Sequence, residues 1–255
     1  MIKKSAIQFS AVLGLLGIAM GAQAKDWPAP IKALEAKGVE VVGTFDAPGG
    51  VTGYAAMVEQ QPLSIYLTAD GKQAIVGAMI DANGVDLSQE PLNRLVTKPL
   101  TAKIWKQLEG STWIADGAKN APRIIYTFTD PNCPYCNKFW SEARPWVTAG
   151  KVQLRHVIVG ILGPTSQGKA AALLSAKDPQ AALMQHEQQH RSGGVKPLDQ
   201  IPPAVRTQLD ANRELMQQLG FSGTPATLYK DADGNLKTLS GAPSAEMLSR
   251  VLGPR

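Results

Sequence analysis

Cysteine is nearly absent from this chain: two residues in 255, with only three histidines beside them. So few thiols rule out a disulfide-stapled scaffold. A closed zinc knuckle is excluded too, because no second CxxC and no neighbouring CxxH accompanies the single pair, and His156, His186 and His190 fall at none of the required spacings. Charge of one sign is also scarce. The formal net charge is only +5, two of those charges are Lys3 and Lys4 at the extreme N-terminus, and the rest are scattered, so no nucleic-acid partner is expected. Beyond residue 24 there is no long apolar run able to cross a bilayer, and there is no internal repeat or low-complexity tract. With 44% hydrophobic and 18% charged residues, the chain can bury one large or two modest cores.

The N-terminus carries an address. Lys3 and Lys4 form a positive n-region, Ile7 to Met20 a mainly apolar segment broken by Gln8 and Ser10, and Ala22-Gln23-Ala24 an A-x-A site. That is the layout of a secretory signal, short for a membrane span, with cleavage expected after Ala24. Residues 1–24 are therefore read as a signal peptide and the exported protein as starting at Lys25, in an oxidising space outside the cytoplasm.

The two cysteines lie together as Cys133-Pro134-Tyr135-Cys136, directly after the apolar run Arg123-Ile-Ile-Tyr-Thr-Phe-Thr129. One helical turn brings sulfurs at this spacing within disulfide reach, so the pair can cycle between dithiol and disulfide with little backbone movement. A helix starting there aims its unpaired N–H groups and positive dipole end at Cys133, favouring the thiolate. Cys133 is thus the expected nucleophile and Cys136 the resolving thiol, shielded and slower to alkylate. An inert structural disulfide closing so short a loop would restrict the unfolded chain little.

The exported chain divides. A helix is predicted over residues 29–37, followed by strand-like pieces at Val39–Phe45, Gly53–Glu59, Leu63–Thr68 and Ala74–Ile80, with Asp70-Gly71 as a hairpin turn. This small helix-plus-antiparallel-sheet unit, residues 25–85, has a marginal core alone and would gain burial by dimerising. Residues 86–111 turn helical, with Pro99 expected to interrupt, and read as a linker. Residues 112–255 form a second domain. Its predicted order is strand 123–129, the thiol pair and a helix, strand 152–159, one long helical insert over 165–189, a helix over 203–219, Thr224-Pro225, strands at 227–230 and 236–239 around Asp233-Gly234, and a helix from Ser244. The fold class is α+β, with the C-terminal domain α/β.

That order, together with Cys133-Pro-Tyr-Cys136 and Thr224-Pro225, resembles the thioredoxin fold. The resemblance implies a cis Thr224-Pro225 bond lying against the thiols, with Thr224 and Pro225 binding substrate as an added strand. Phe45-Asp-Ala-Pro-Gly-Gly50, Ile65-Tyr-Leu-Thr68, Asp130-Pro-Asn-Cys-Pro-Tyr-Cys136 and Phe139-Trp140 extend the likeness over nearly the whole exported chain, to the periplasmic disulfide isomerases of the DsbC/DsbG family. The Pro134-Tyr135 dipeptide is nearer the DsbG members, since DsbC-like ones carry Gly-Tyr. The resemblance implies a V-shaped homodimer joined through residues 25–85, cysteine-bearing exported clients, a membrane electron donor of the DsbD type, and no cofactor beyond the redox-active cysteine pair.

One motif points elsewhere. His186-Glu187-Gln188-Gln189-His190 matches HExxH, in which two histidines one turn apart hold zinc and the glutamate acts as base. Its surroundings, Gln185 to Arg191, are all polar and Ser192-Gly193-Gly194 follows at once, so it reads as a solvated helix end. No third ligand is assigned, since nothing places Glu214 nearby, and no metal is expected. Phe139, Trp140 and Trp146 at helical spacing read as core or cleft walls. The expected activity is thiol-disulfide exchange as isomerase and reductase, including reduction of sulfenylated cysteines. The alternatives are a dithiol oxidase of the DsbA type, a holdase chaperone without catalysis, and a zinc peptidase.

Overall fold

The structure, a computed structural model, describes residues 26–254. The predicted signal segment and its cleavage site lie outside the described residues.

Helix α1 (Ala29–Glu35) carries Pro30 in its first turn, where a missing N–H costs nothing. Strands β1 (Glu40–Asp46), β2 (Thr52–Val58), β3 (Gln61–Leu67) and β4 (Ala74–Val76) follow as an antiparallel meander, β1-β2-β3-β4. Both faces of this sheet are covered. Ile31 of α1 packs on Tyr54, Ala56, Ile65 and Leu67, while Phe45, Ala55 and Tyr66 meet Val96 on the opposite side. That double cover is why β2 is buried over four successive residues instead of alternating. Two expectations are corrected here. Glu59 belongs to the β2–β3 turn, with Glu59 and Gln60 both at positive φ (48° and 65°), and β4 stops at Val76, leaving Ile80 with an isolated bridge to Asp86.

The next segment is one continuous helical rod: α2 (Gln89–Leu92), a π-helical turn (Asn93–Thr97) and α3 (Lys98–Gly110). Pro99 does not break it. The Lys98 N–H bonds back five residues to the Asn93 carbonyl, and this wide turn places Pro99 in the first turn of α3, where its lost donor is unneeded. Ile104 and Leu108 of α3 join Tyr126, Phe128, Leu215, Met216 and Phe221 in the C-terminal core.

The second sheet runs β5-β7-β6-β8-β9, from β5 (Trp113–Asp116), β6 (Arg123–Thr129), β7 (Val152–Ile158), β8 (Ala226–Lys230) and β9 (Leu236–Ser240). Only β6 and β7 are parallel. Helix α4 (Pro134–Thr148) makes the crossover between them, and α8 (Ala245–Leu252), capped by the Ser244 hydroxyl, packs beside it. The apolar run 123–129 is the central strand: Tyr126 and Phe128 face α3 and α7 (Pro203–Gln218), and Ile125 faces Phe139, Ala143, Trp146 and Val147 of α4. Each such buried large side chain stabilises by about 2–3 kcal/mol. Strand β5, only four residues long, was not predicted. The helical insert is two helices, α5 (Ser166–Leu174) and α6 (Pro179–Gln188). Asp178 divides them, its carboxylate accepting the Ala181 N–H at 3.0 Å as an N-cap with Pro179 at the first helical position.

Candidate active site

Strand β6 ends at Thr129 and α4 begins at Pro134, so residues 130–133 are the corner that aims the thiols. Pro134 suits the first turn of a helix, where its fixed φ is already helical and its missing N–H is not needed. Cys133 is the N-cap of α4, and its Sγ accepts the Cys136 N–H at 3.1 Å in place of a capping oxygen. The Cys133 thiol also reaches the Thr224 carbonyl at 3.3 Å. The Thr224–Pro225 peptide is cis, as the resemblance implied. The structure thus brings Cys133, Cys136 and the Thr224–Pro225 loop together, with Tyr135 pointing outward at 62% exposure.

Both cysteines are free thiols with little exposed surface, Cys133 at 1% and Cys136 at 3%, but burial weighs more heavily on Cys136, where it dominates. The Cys136 thiol donating to its neighbour, against the opposing effect of burial, holds Cys133 down to about 7; Thr224 and the N–H groups of Cys136 and Tyr135 add to the lowering. The Thr224 hydroxyl is buried beside the thiols with no hydrogen-bond partner. Burial, then the Cys133 sulfur beside it, pushes Cys136 well up. At neutral pH the arrangement favours one thiolate at Cys133 and one protonated thiol at Cys136.

Sequence reasoning missed what holds the corner. Asp130 is buried, and its carboxylate accepts four hydrogen bonds: from the Asn132 N–H (2.8 Å) and Ser166 hydroxyl (2.9 Å) on Oδ1, and from the N–H groups of Ile161 (2.6 Å) and Leu162 (3.0 Å) on Oδ2. The Asp130 carbonyl takes the Cys133 N–H at 3.0 Å. On the flank of α4, Arg144 lies over the Trp140 ring at 4.3 Å and pairs through both its terminal nitrogens with Asp116 of β5. Burial pushes the Asp116 carboxyl up, but the His156 ring 3.6 Å away and the hydrogen-bonded Arg144 guanidinium outweigh it and hold the group at about 2. An acid at the end of a short, unpredicted strand left no sequence signal.

The reading of HExxH as a solvated helix end is overturned. His186 and Glu187 are both buried, at 2% and 4% exposure, because α6 packs onto α4 and the thiol corner. Both ring nitrogens of His186 are occupied: Nδ1 accepts the Val195 N–H at 3.0 Å and Nε2 lies 2.9 Å from the Pro131 carbonyl. The Asn137 amide donates to the Glu187 carboxylate and carbonyl at 2.8 and 2.7 Å. Neither the histidine nor the glutamate is free for zinc, and among the described residues no group of three His, Cys, Asp or Glu is arranged to hold a metal ion.

A family model described as a thioredoxin-like domain matches residues 114–253. The thiol:disulfide interchange protein DsbG of Pseudomonas aeruginosa is 51% identical over 243 residues, which cover 95% of each chain. Its namesake from Escherichia coli is 42% identical over 234 residues, 90% of this chain and 93% of the other. Among solved structures, the catalytic domain of Proteus mirabilis ScsC matches with a TM-score of 0.51 at 25% identity, over 61% of this chain and 96% of that one. A likeness sustained at half of all positions from the small sheet through the thiol corner to α8 goes beyond a shared fold: the chain belongs to the DsbC/DsbG family of thiol:disulfide interchange proteins, on its DsbG side.

Proposed function

We propose that the protein is a thiol-disulfide isomerase and reductase of exported proteins, with Cys133 as its attacking sulfur. The observation that carries this is a buried sulfur capping a helix, bonded to the Cys136 N–H and lowered to about 7 beside a partner thiol that is raised. The Cys133 thiolate attacks one sulfur of a client disulfide; that S–S bond breaks, an enzyme–client disulfide forms, and the other client sulfur departs as thiolate and takes a proton. In isomerisation a second client thiolate then attacks the mixed disulfide and expels Cys133 while a different client disulfide forms. In reduction Cys136 loses its proton and attacks Cys133, leaving a Cys133–Cys136 disulfide and a reduced client. A client sulfenic acid reacts in the same way, its hydroxyl leaving as water. The Thr224–Pro225 loop would pair with the client backbone as an added strand.

Turnover as a reductase needs electrons returned to the pair, the role assigned to a membrane donor of the DsbD type. The workplace is the periplasm, reached by a signal cleaved after Ala24, and the divisions are 25–85, 86–111 and 112–255. Among the described residues no helix is long and apolar enough to cross a membrane. The proposed homodimer draws support from the small sheet: β4 is an open edge strand, and Ile75 (57%), Val76 (49%), Ile80 (55%) and Val85 (54%) are exposed on and after it. Two dithiols around one cleft would hold a misfolded client while its bonds are reshuffled. Refolding of a scrambled multi-disulfide protein by the reduced enzyme tests the reading. Wild type should restore client activity and Cys133→Ala should not; equal rescue by both would reject it in favour of a holdase.

A further inference from the structure

The peptide plane between Pro131 and Asn132 is pinned at both ends. Its N–H is held by the Asp130 carboxylate at 2.8 Å, and its carbonyl, which lies before the start of α4 and has no helical partner, by His186 Nε2 at 2.9 Å. This plane is the last but one before Cys133, so its tilt sets the direction from which the Cys133 sulfur meets the Cys136 N–H. The first strut comes from the corner itself and the second from the insert, 55 residues further along the chain in α6.

From this geometry we infer that His186 is a positioning residue for Cys133, acting through the Pro131 carbonyl. Its tautomer follows from its partners. Val195 presents an N–H to Nδ1, so Nδ1 carries the lone pair and Nε2 the hydrogen, which points at Pro131 O 2.9 Å away. The ring is held in plane from behind: a Cβ on Gly194 would stand 2.3 Å from Nδ1, and Gly194 has a φ of +63°, so the Gly193-Gly194 turn lets the chain close on the imidazole. A second hold runs alongside, with Lys169 of α5 bridging the Asn132 side-chain oxygen and the Gly193 carbonyl at 2.8 Å each. The insert therefore grips two consecutive residues before the nucleophile. The first histidine of the HExxH motif thus serves the thiol corner rather than a metal site.

The inference rests on Cys133 as the attacking sulfur, and two near-isosteric substitutions separate it from that reading. His186→Gln places an amide donor near Nε2 and keeps the bond to Pro131. His186→Asn places a carbonyl near Nδ1 and keeps the Val195 bond but falls short of Pro131. In the full-length reduced protein, the rate of mixed-disulfide formation with a small aromatic disulfide and the pH midpoint of the Cys133 thiolate absorbance are read together with thermal melting. His186→Asn should slow exchange on the order of tenfold, the weight of one buried hydrogen bond, and raise the thiolate midpoint. His186→Gln should restore both to near wild type, even if it melts lower. Equal rates and midpoints in the two variants, or better rescue by Asn, would overturn the inference and leave His186 as a tie within the insert. If wild type itself reacts through Cys136, the reading of Cys133 fails instead, and mapping the modified sulfur tells the two failures apart.

Discussion

Removing the Cys136 thiol should make Cys133 a weaker acid and, at high pH, a faster nucleophile. The Cys136 thiol is the foremost cause of the lowering of Cys133 from 9.0 to about 7. A hydrogen bond to a charged acceptor is worth about 1.5–3 kcal/mol, or roughly 1–2 pKa units at 1.36 kcal/mol per unit, so Cys136→Ala should move the midpoint from about 7 to about 8 or above. At pH 7 a one-unit rise cuts the thiolate fraction roughly fivefold, while each remaining thiolate gains about threefold in nucleophilicity, a net loss of only about twofold. Near pH 9 almost all Cys133 is ionised in both proteins, and the variant should alkylate about threefold faster. The two pH–rate curves must therefore cross. Absorbance at 240 nm and iodoacetamide rates from pH 5 to 10, with mass spectrometry confirming modification at Cys133, measure both effects. Cys136→Ser retains a hydroxyl donor and should stay nearer wild type. A Cys136→Ala midpoint still at about 7, with curves that never cross, would show that the helix end and Thr224 hold the thiolate without help from Cys136.

Arg144→Leu leaves the buried Asp116 carboxylate at the end of β5 with only the His156 ring beside it, at 3.6 Å, and should cost about 3 kcal/mol in urea unfolding at pH 7. Since the Asp116 carboxyl is depressed to about 2 from 3.8, its stabilisation is complete above pH 4 or so and is lost as pH falls through about 2; acid unfolding of the variant should show a smaller contribution of this kind, with only the effect of His156 remaining. Asp130→Asn turns an amide donor toward one of the two donor pairs that the carboxylate accepts, and should cost about 1–3 kcal/mol by thermal or urea melting. Val76→Glu on the open β4 edge should give a folded monomer by sedimentation that still reduces small disulfides but loses most rescue of a scrambled client; a stable dimer would reject this edge as the interface.

The legible parts of this chain are those with a local chemical reason. Strand 123–129 was readable to the residue because a buried central strand is rich in apolar, aromatic and β-branched residues without a polar face, and the thiol corner because a proline follows the first cysteine where a helix can start. Asp178-Pro179 carried a helix-start signal inside what looked like one long helix, and only the structure shows that it divides α5 from α6. The Glu59-Gln60 turn was hidden, since neither residue favours the positive φ that the hairpin imposes on both. The π turn was hidden because it depends on how the rod packs: Val96 lies on the small sheet and Ile104 and Leu108 lie in the C-terminal core. Asp130 and His186 stood in quoted motifs, yet their roles depend on partners 31 to 55 residues away in sequence, which no spacing rule reaches.

The most direct test is to trap the reaction halfway. Reduced Cys136→Ala protein is mixed with a scrambled multi-disulfide client, quenched with acid and mapped by mass spectrometry after proteolysis. A disulfide joining Cys133 to a client cysteine is the predicted product, and it should disappear on adding a small reductant. Absence of that adduct, together with client adducts at Cys136 in the Cys133→Ala protein, would contradict Cys133 as the attacking sulfur.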